Sequence, residues 1–228
     1  MDNPNNNRHL SGFREWKFNL QVSDDTVNEA NTARESLLDS LHSENLKFGS
    51  GGTKIFNVKL SPGCEMCAEG VVSFFYINGL CTNNCFFCPQ NRAMEYERSP
   101  VSEKITFNDP DIYVEYLQKF EMKGVGFTGG EPLLVLEKLL LFIKRIKKQF
   151  DRSIYTWLYT NGDLIDEQKL KELRNAGLDE IRFNLSARDY DIRPVCLARR
   201  FFDTVTVEIP AIPEDVDILQ KILPKMVE

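Results

Sequence analysis

Cys81-Thr-Asn-Asn-Cys85-Phe-Phe-Cys88 sets three thiols four and three residues apart. Thiolates are soft donors suited to iron–sulfur clusters and to zinc. Three of them leave one position of a cubic four-iron cluster, or of a tetrahedral metal, for an outside ligand, and an open position is where metal chemistry takes place. A second motif, Gly129-Gly130-Glu131-Pro132, follows downstream. Paired glycines let a backbone approach a ligand closely, and Glu131 adds a carboxylate beside them.

Each motif needs an element to hold it. The apolar run Val71–Ile77 reads as a buried strand that leads into the cysteine loop, and Val125–Thr128 reads as a second strand that leads into the glycine pair. Between them a helix is expected over Asp111–Glu121, with Pro110 at its favourable start. A longer helix should run from Pro132 to about Phe150. Ser153–Thr160 reads as a third strand ending in Asn161-Gly162. Asp166 then looks like an N-cap, with Leu170 and Leu173 facing inward and Gly177 as the stop. A fourth strand, Glu180–Leu185, ends at Ser186, and a fifth, Thr204–Ile209, is broken by Pro210 ahead of a helix over Asp215–Met226. Strands alternating with helices imply parallel pairing through right-handed crossovers, and such folds work at the carboxyl ends of their strands. The candidate residues fall at those ends. Phe74, Phe75, Phe127 and Phe183 lie in the expected strands and are read as core.

In this order, a strand, C-x3-C-x2-C, a strand and Gly-Gly-Glu-Pro, the chain resembles the radical S-adenosylmethionine (radical SAM) superfamily over about residues 70 to 215. The resemblance implies an α/β fold: a partial, open parallel (β/α) barrel behind a mixed α/β N-terminal extension. It implies that Cys81, Cys85 and Cys88 ligate a 4Fe–4S cluster whose fourth iron takes S-adenosylmethionine. It further implies reductive cleavage to a 5′-deoxyadenosyl radical, which removes hydrogen from an unidentified substrate, with peptides and proteins among the candidates. A flavodoxin- or ferredoxin-like reductant is implied as partner. Carried onto this sequence, the pattern sets Phe87 near the adenine, and Gly129, Gly130 and Glu131 on the methionyl amino group. Thr160, Asn161 and Ser186 stand where the carboxylate or ribose hydroxyls would be, although polar residues at strand ends also cap helices. Ile209, Pro210 and Ile212 resemble the apolar segment that packs on adenine. The family core usually has six strand–helix units, and this sequence ends during the helix after strand five. The competing reading is a non-catalytic iron–sulfur or zinc protein that has kept the site and lost turnover.

Cys64-Glu-Met-Cys67 admits two readings, half of a second metal or cluster site and a structural pair. Cys196 is expected to pack as a small apolar residue. Residues 1–69 form the expected extension: an Asn-rich start read as disordered, a helix with Val27, Ala30, Leu37, Leu38 and Leu41 on one face, and a strand patterned by Phe56, Val58 and Leu60. That strand is a candidate cover for an edge of the main sheet. Residues 70–228 form the expected core.

Of 228 residues, 42% are hydrophobic and 27% charged, proportions of a globular protein. The net charge of −6 weighs against a nucleic-acid partner. The one basic cluster, Lys144, Arg145, Lys147 and Lys148, is read as cations facing water at a helix C-terminus. No apolar stretch is long enough to span a bilayer, and the start lacks the features of a secretory signal. Six cysteines, three of them at ligand spacing, fit a reducing compartment, so a cytoplasmic protein is expected.

Overall fold

The computed structural model describes residues 23–42, 46–50, 53–88 and 99–227, and the chain divides between Ser61 and Pro62 into two compact units. The first unit contains helix α1 (Asp24–His42), whose first turn carries Asp24 and Asp25 where the macrodipole favours negative charge. Strands β1 (Lys47–Gly49) and β2 (Lys54–Phe56) pair antiparallel in a sheet of their own. The alternation through Leu60 does not extend the strand: β2 ends at Phe56, and Val58 is exposed. The hydrogen-bonded partner of β2 is β1, in a sheet separate from the seven-stranded one. The Asn-rich start and Gly51-Gly52 lie outside the described residues.

The second unit opens with α2 (Pro62–Glu69), ahead of the residue-70 boundary expected from sequence. It continues through β3 (Val72–Tyr76), β4 (Val101–Ser102), β5 (Ile105–Thr106), α3 (Pro110–Lys119) and β6 (Gly124–Thr128). Then come α4 (Leu136–Phe150), β7 (Tyr155–Thr160), α5 (Glu167–Ala176), β8 (Glu180–Phe183), α6 (Arg193–Ala198), β9 (Thr204–Val207) and α7 (Val216–Val227). The sheet order is β5-β4-β3-β6-β7-β8-β9. From β3 to β9 every pairing is parallel, whereas β4 and β5 form an antiparallel hairpin beside β3. That hairpin was not legible in the sequence, because two-residue strands are too short to carry a period. The result is an open α/β sheet with β5 and β9 at its edges.

Local chemistry sets the helix ends. Asp109 caps α3 by accepting from the Asp111 N–H, with Pro110 in the first turn. Asp166 caps α5 through the Lys169 N–H, and Gly177 ends it at φ +100°, a conformation that disfavours a Cβ. Leu139, Phe142, Ile143 and Ile146 recur at helical spacing along α4 and are all buried. The basic cluster on this helix is not wholly in water. Lys147 donates to Ile154 O and to Asp179 Oδ2, both at 2.6 Å, and so ties α4 to the segments flanking β7 and β8.

The sheet has two unlike faces. Phe75, Phe127, Leu158, Ile181 and Phe183 meet the buried residues of α3, α4 and α5 in one apolar core. The register row Phe74–Gly126–Trp157–Glu180–Thr204 belongs to the other face. Phe74 is therefore not core as expected: it is 40% exposed and meets Trp157 edge-on. Its neighbour Phe75 is fully buried. Cys196 is also a correction. Pro194 and Ala198 turn inward from α6, which leaves Cys196 exposed on its other side.

Candidate active site

The site begins where β3 and β6 end side by side. Beyond the strands the pairing continues as a strap: the Ile77 N–H donates to Thr128 O (2.9 Å), Gly130 N–H to Asn78 O (2.8 Å) and Glu131 N–H to Leu80 O (2.6 Å). Asn78, fully buried, locks both sides, since its Oδ1 accepts from Leu80 N–H (2.7 Å) and its Nδ2 donates to Glu131 O (3.3 Å). This strap explains the glycine pair. Gly129 sits at φ +139°, and a Cβ there would lie 2.2 Å from Asn78 O; a Cβ on Gly130 would lie 2.0 Å from Leu80 O. Sequence reasoning assigned these glycines to the approach of a ligand. Part of what approaches is the chain's own lead-in to Cys81.

Glu131 is buried and faces the end of β7. Its carboxylate accepts from Thr160 Oγ1 (2.9 and 3.0 Å), from Asn161 N–H (2.9 Å) and from Leu133 N–H (3.1 Å). Burial pushes its pKa up to about 7, against the lowering pull of these donors. It is not among the residues that line the neighbouring cavity.

That cavity, of about 510 Å³, is lined by Cys81, Cys85, Cys88 and Phe87 from the loop, and by Gly129 and Gly130 from the turn. Thr160 and Asn161 complete it from β7. Ser186, Ile209 and Ile212 do not join them. Strand β8 ends at Phe183, earlier than expected, so Asn184 takes the first position beyond the strand and lines the cavity with Ala187. Ser186 instead donates to Asn184 Oδ1 at 2.7 Å. Ile209 packs against the apolar core, and Ile212 is buried. Sequence reasoning missed Tyr76, Asn83, Thr128, Tyr159 and Asn184, which also line the cavity. Tyr76 and Tyr159 were within reach: each stands two residues beyond Phe74 or Trp157, on the same side of its strand.

The three thiols interact electrostatically. Burial raises the pKa of Cys81, helped by the charges of Glu131 and Cys88. Burial likewise pushes Cys85 up to about 12, with Cys81 and Cys88 adding to the shift. Thiolates that oppose one another in a low-dielectric site are stabilised by a bound cation, and the Asn83 N–H already points at Cys81 Sγ (3.4 Å). In donor type and common cavity the triplet fits an iron–sulfur cluster. Among the described residues, however, no three His, Cys, Asp or Glu side chains converge at closed metal-ligand spacing. Cys64 and Cys67 lie on α2, half-buried and exposed respectively, and the described residues offer them no third ligand.

Comparison with known proteins covers the same stretch of the chain. The profile of the radical SAM superfamily matches residues 75–209, more than half of the chain. The chain belongs to the radical SAM superfamily. Within it, the chain is 34% identical over 165 residues to a protein of Methanocaldococcus jannaschii provisionally named a glycyl-radical enzyme activating enzyme, a match covering 68% of this chain and 44% of that one. It is 27% identical over 125 residues to a GTP 3',8-cyclase of Campylobacter jejuni, covering 55% and 38%. The chain thus spans less than half the length of these curated relatives. Among solved structures it is similar to BtrN in an open conformation, with a TM-score of 0.42, 21% identity, and coverage of 61% of this chain and 56% of that one. Membership in the radical SAM superfamily implies a 4Fe–4S cluster and S-adenosylmethionine as cofactors. No helix among the described residues is long and apolar enough to cross a membrane.

Proposed function

We propose that this chain is the core of a radical SAM enzyme that starts hydrogen abstraction on a protein or peptide. The observation that carries the reading is the single cavity shared by three thiols, the glycine turn and the end of β7. Cys81, Cys85 and Cys88 would hold a 4Fe–4S cluster that leaves room for S-adenosylmethionine beside the glycine turn. Bound there, the cluster and S-adenosylmethionine would supply reductive cleavage to a 5′-deoxyadenosyl radical. The chain's own residues do the placing. Gly129 and Gly130 offer backbone polar groups to the methionyl end, Thr160 and Asn161 border it from β7, and Phe87 provides an apolar wall for the adenine. Glu131, whose carboxylate accepts from Thr160 and from the Asn161 N–H, holds the turn against the end of β7 beside the methionyl amino group.

Support for a protein substrate comes from the relative named for activating a glycyl-radical enzyme. The reductant is a flavodoxin- or ferredoxin-like protein, and the thiol-rich site suits the cytoplasm. Anaerobic reconstitution with iron and sulfide tests the reading. The chain should turn brown, bind about four irons, and release 5′-deoxyadenosine from S-adenosylmethionine under a strong reductant, whereas Cys85→Ala should do neither. A colourless chain that holds zinc and leaves S-adenosylmethionine intact overturns it in favour of a non-catalytic metal module.

A further inference from the structure

The cysteine loop is held in two halves. Its lead-in, Asn78–Leu80, is strapped to the glycine turn, but Cys81–Cys88 runs on without regular structure apart from a turn in which the Cys88 N–H donates to Cys85 O (3.2 Å). Ligation demands cysteines at 81, 85 and 88 and says nothing about the spacer between the first two. Yet two of the three spacer side chains converge on one oxygen: Thr82 Oγ1 donates to Asp163 Oδ2 at 2.9 Å, and Asn83 Nδ2 donates to the same atom at 2.8 Å.

Asp163 is itself fixed from behind. Its Oδ1 accepts from Arg188 Nη1 (3.0 Å), which also donates to Gly162 O (3.2 Å) and whose Nη2 donates to Asp191 (3.1 Å). The Asp163 N–H donates to Asn161 Oδ1 (3.0 Å), and Asn161 Nδ2 returns to Thr82 Oγ1 (2.7 Å). A closed ring of hydrogen bonds therefore runs from the spacer to the loop after β7 and back, about eighty positions apart in sequence. Ordering an eight-residue loop costs backbone entropy, and a tie already formed before the ligand arrives removes part of that cost from binding.

We propose that Asp163, braced by Arg188, is the positioning residue that clasps the spacer and fixes the curl of the cluster-ligating loop. The role rests on the function proposed above, but the clasp is a property of the chain and is measurable without iron. Asp163→Asn keeps one acceptor oxygen for Thr82 and Asn83 but sets an amide NH2 where Oδ1 accepts from Arg188, whereas Asp163→Ala removes all three bonds.

Two measurements on the full chain separate the possibilities. In the iron-free protein, amide hydrogen exchange over residues 81–88 should be about tenfold faster in Asp163→Ala and less accelerated in Asp163→Asn, which keeps the spacer bonds and loses the brace, with overall melting as the folding control. After anaerobic reconstitution, iron loss to a chelator should also be about tenfold faster in Asp163→Ala and less accelerated in Asp163→Asn. If Asp163→Ala does not fold, Thr82→Val with Asn83→Ala removes the same two bonds from the opposite side. Unchanged exchange overturns the clasp whatever the iron content. Faster exchange with unchanged iron loss overturns the positioning role and leaves the enzyme reading standing. A wild-type chain that takes up no iron overturns the enzyme reading, and the positioning role with it.

Discussion

The two faces of the main sheet are built from the same strands and obey different rules. Under the helices, Phe75, Phe127, Leu158 and Ile181 form a continuous apolar core with nothing to distinguish one good packing from another except shape. Across the sheet, Trp157 and Arg182 are buried among polar groups. The Arg182 guanidinium lies 5.0 Å over the Trp157 ring and donates to Glu180 Oε1 (2.7 Å), Tyr159 OH (3.1 Å) and Glu208 Oε2 (3.2 Å). Thr206 Oγ1 adds a second donor to Glu180 Oε1 at 2.7 Å. Tyr159 is both a partner of Arg182 and part of the cavity wall, so the polar face joins the site directly. The difference teaches which residues are exchangeable. An apolar core tolerates swaps that conserve volume, whereas a buried charge pair tolerates no loss of one partner.

The largest test of this contrast is Arg182→Met. Glu180 is fully buried, so the variant should lose about 3–5 kcal/mol in urea unfolding by stranding its carboxylate. Arg182→Met with Glu180→Gln should regain most of the loss. A single variant costing under about 1 kcal/mol, the range of an exposed pair, would remove the distinction between the faces.

Adjacent phenylalanines give a sharper comparison. Phe75→Ala should cost about 3–5 kcal/mol, because it opens a cavity beneath α3 and α4. Phe74→Ala, at a position 40% exposed, should cost about 1 kcal/mol. Equal losses would mean that the alternation of β3 does not separate the faces.

A pH-dependent test concerns the buried carboxylate of Glu131 at the end of the glycine turn. Glu131 is raised from 4.5 to about 7 by burial. Between those values the folded chain keeps a proton that the unfolded chain has lost. The stabilisation is therefore fully present below pH 4.5 and declines as pH rises to about 7, by up to about 3 kcal/mol. Urea midpoints of the iron-free chain across this range measure it, and Glu131→Gln should flatten the slope. A stability that rises with pH through the window, and does so only when Glu131 is present, would mean that the three donors outweigh burial.

Much of this was legible before any coordinates. Asp166 and Gly177 bound α5 as their chemistry requires, and the parallel strands from β3 to β9 appear where the alternation of strands and helices predicts them. The misses share a cause. The end of β8 was read past Phe183, which exchanged Asn184 for Ser186 at the cavity. The β4–β5 hairpin carried no period at all. Boundaries and very short strands are decided by partners far along the chain, and local pattern does not record them.

The sequence alone determined the spacing of the three thiols, the glycine turn and the family, because donor chemistry and local turn geometry are properties of neighbouring residues. Only the tertiary structure decided that Glu131 meets Thr160 and Asn161, why Gly129 and Gly130 admit no side chain, and that Thr82 and Asn83 reach Asp163. Each of these is a contact between segments separated by tens of residues. Such contacts follow from which strand ends are brought side by side, and no window of sequence contains that information.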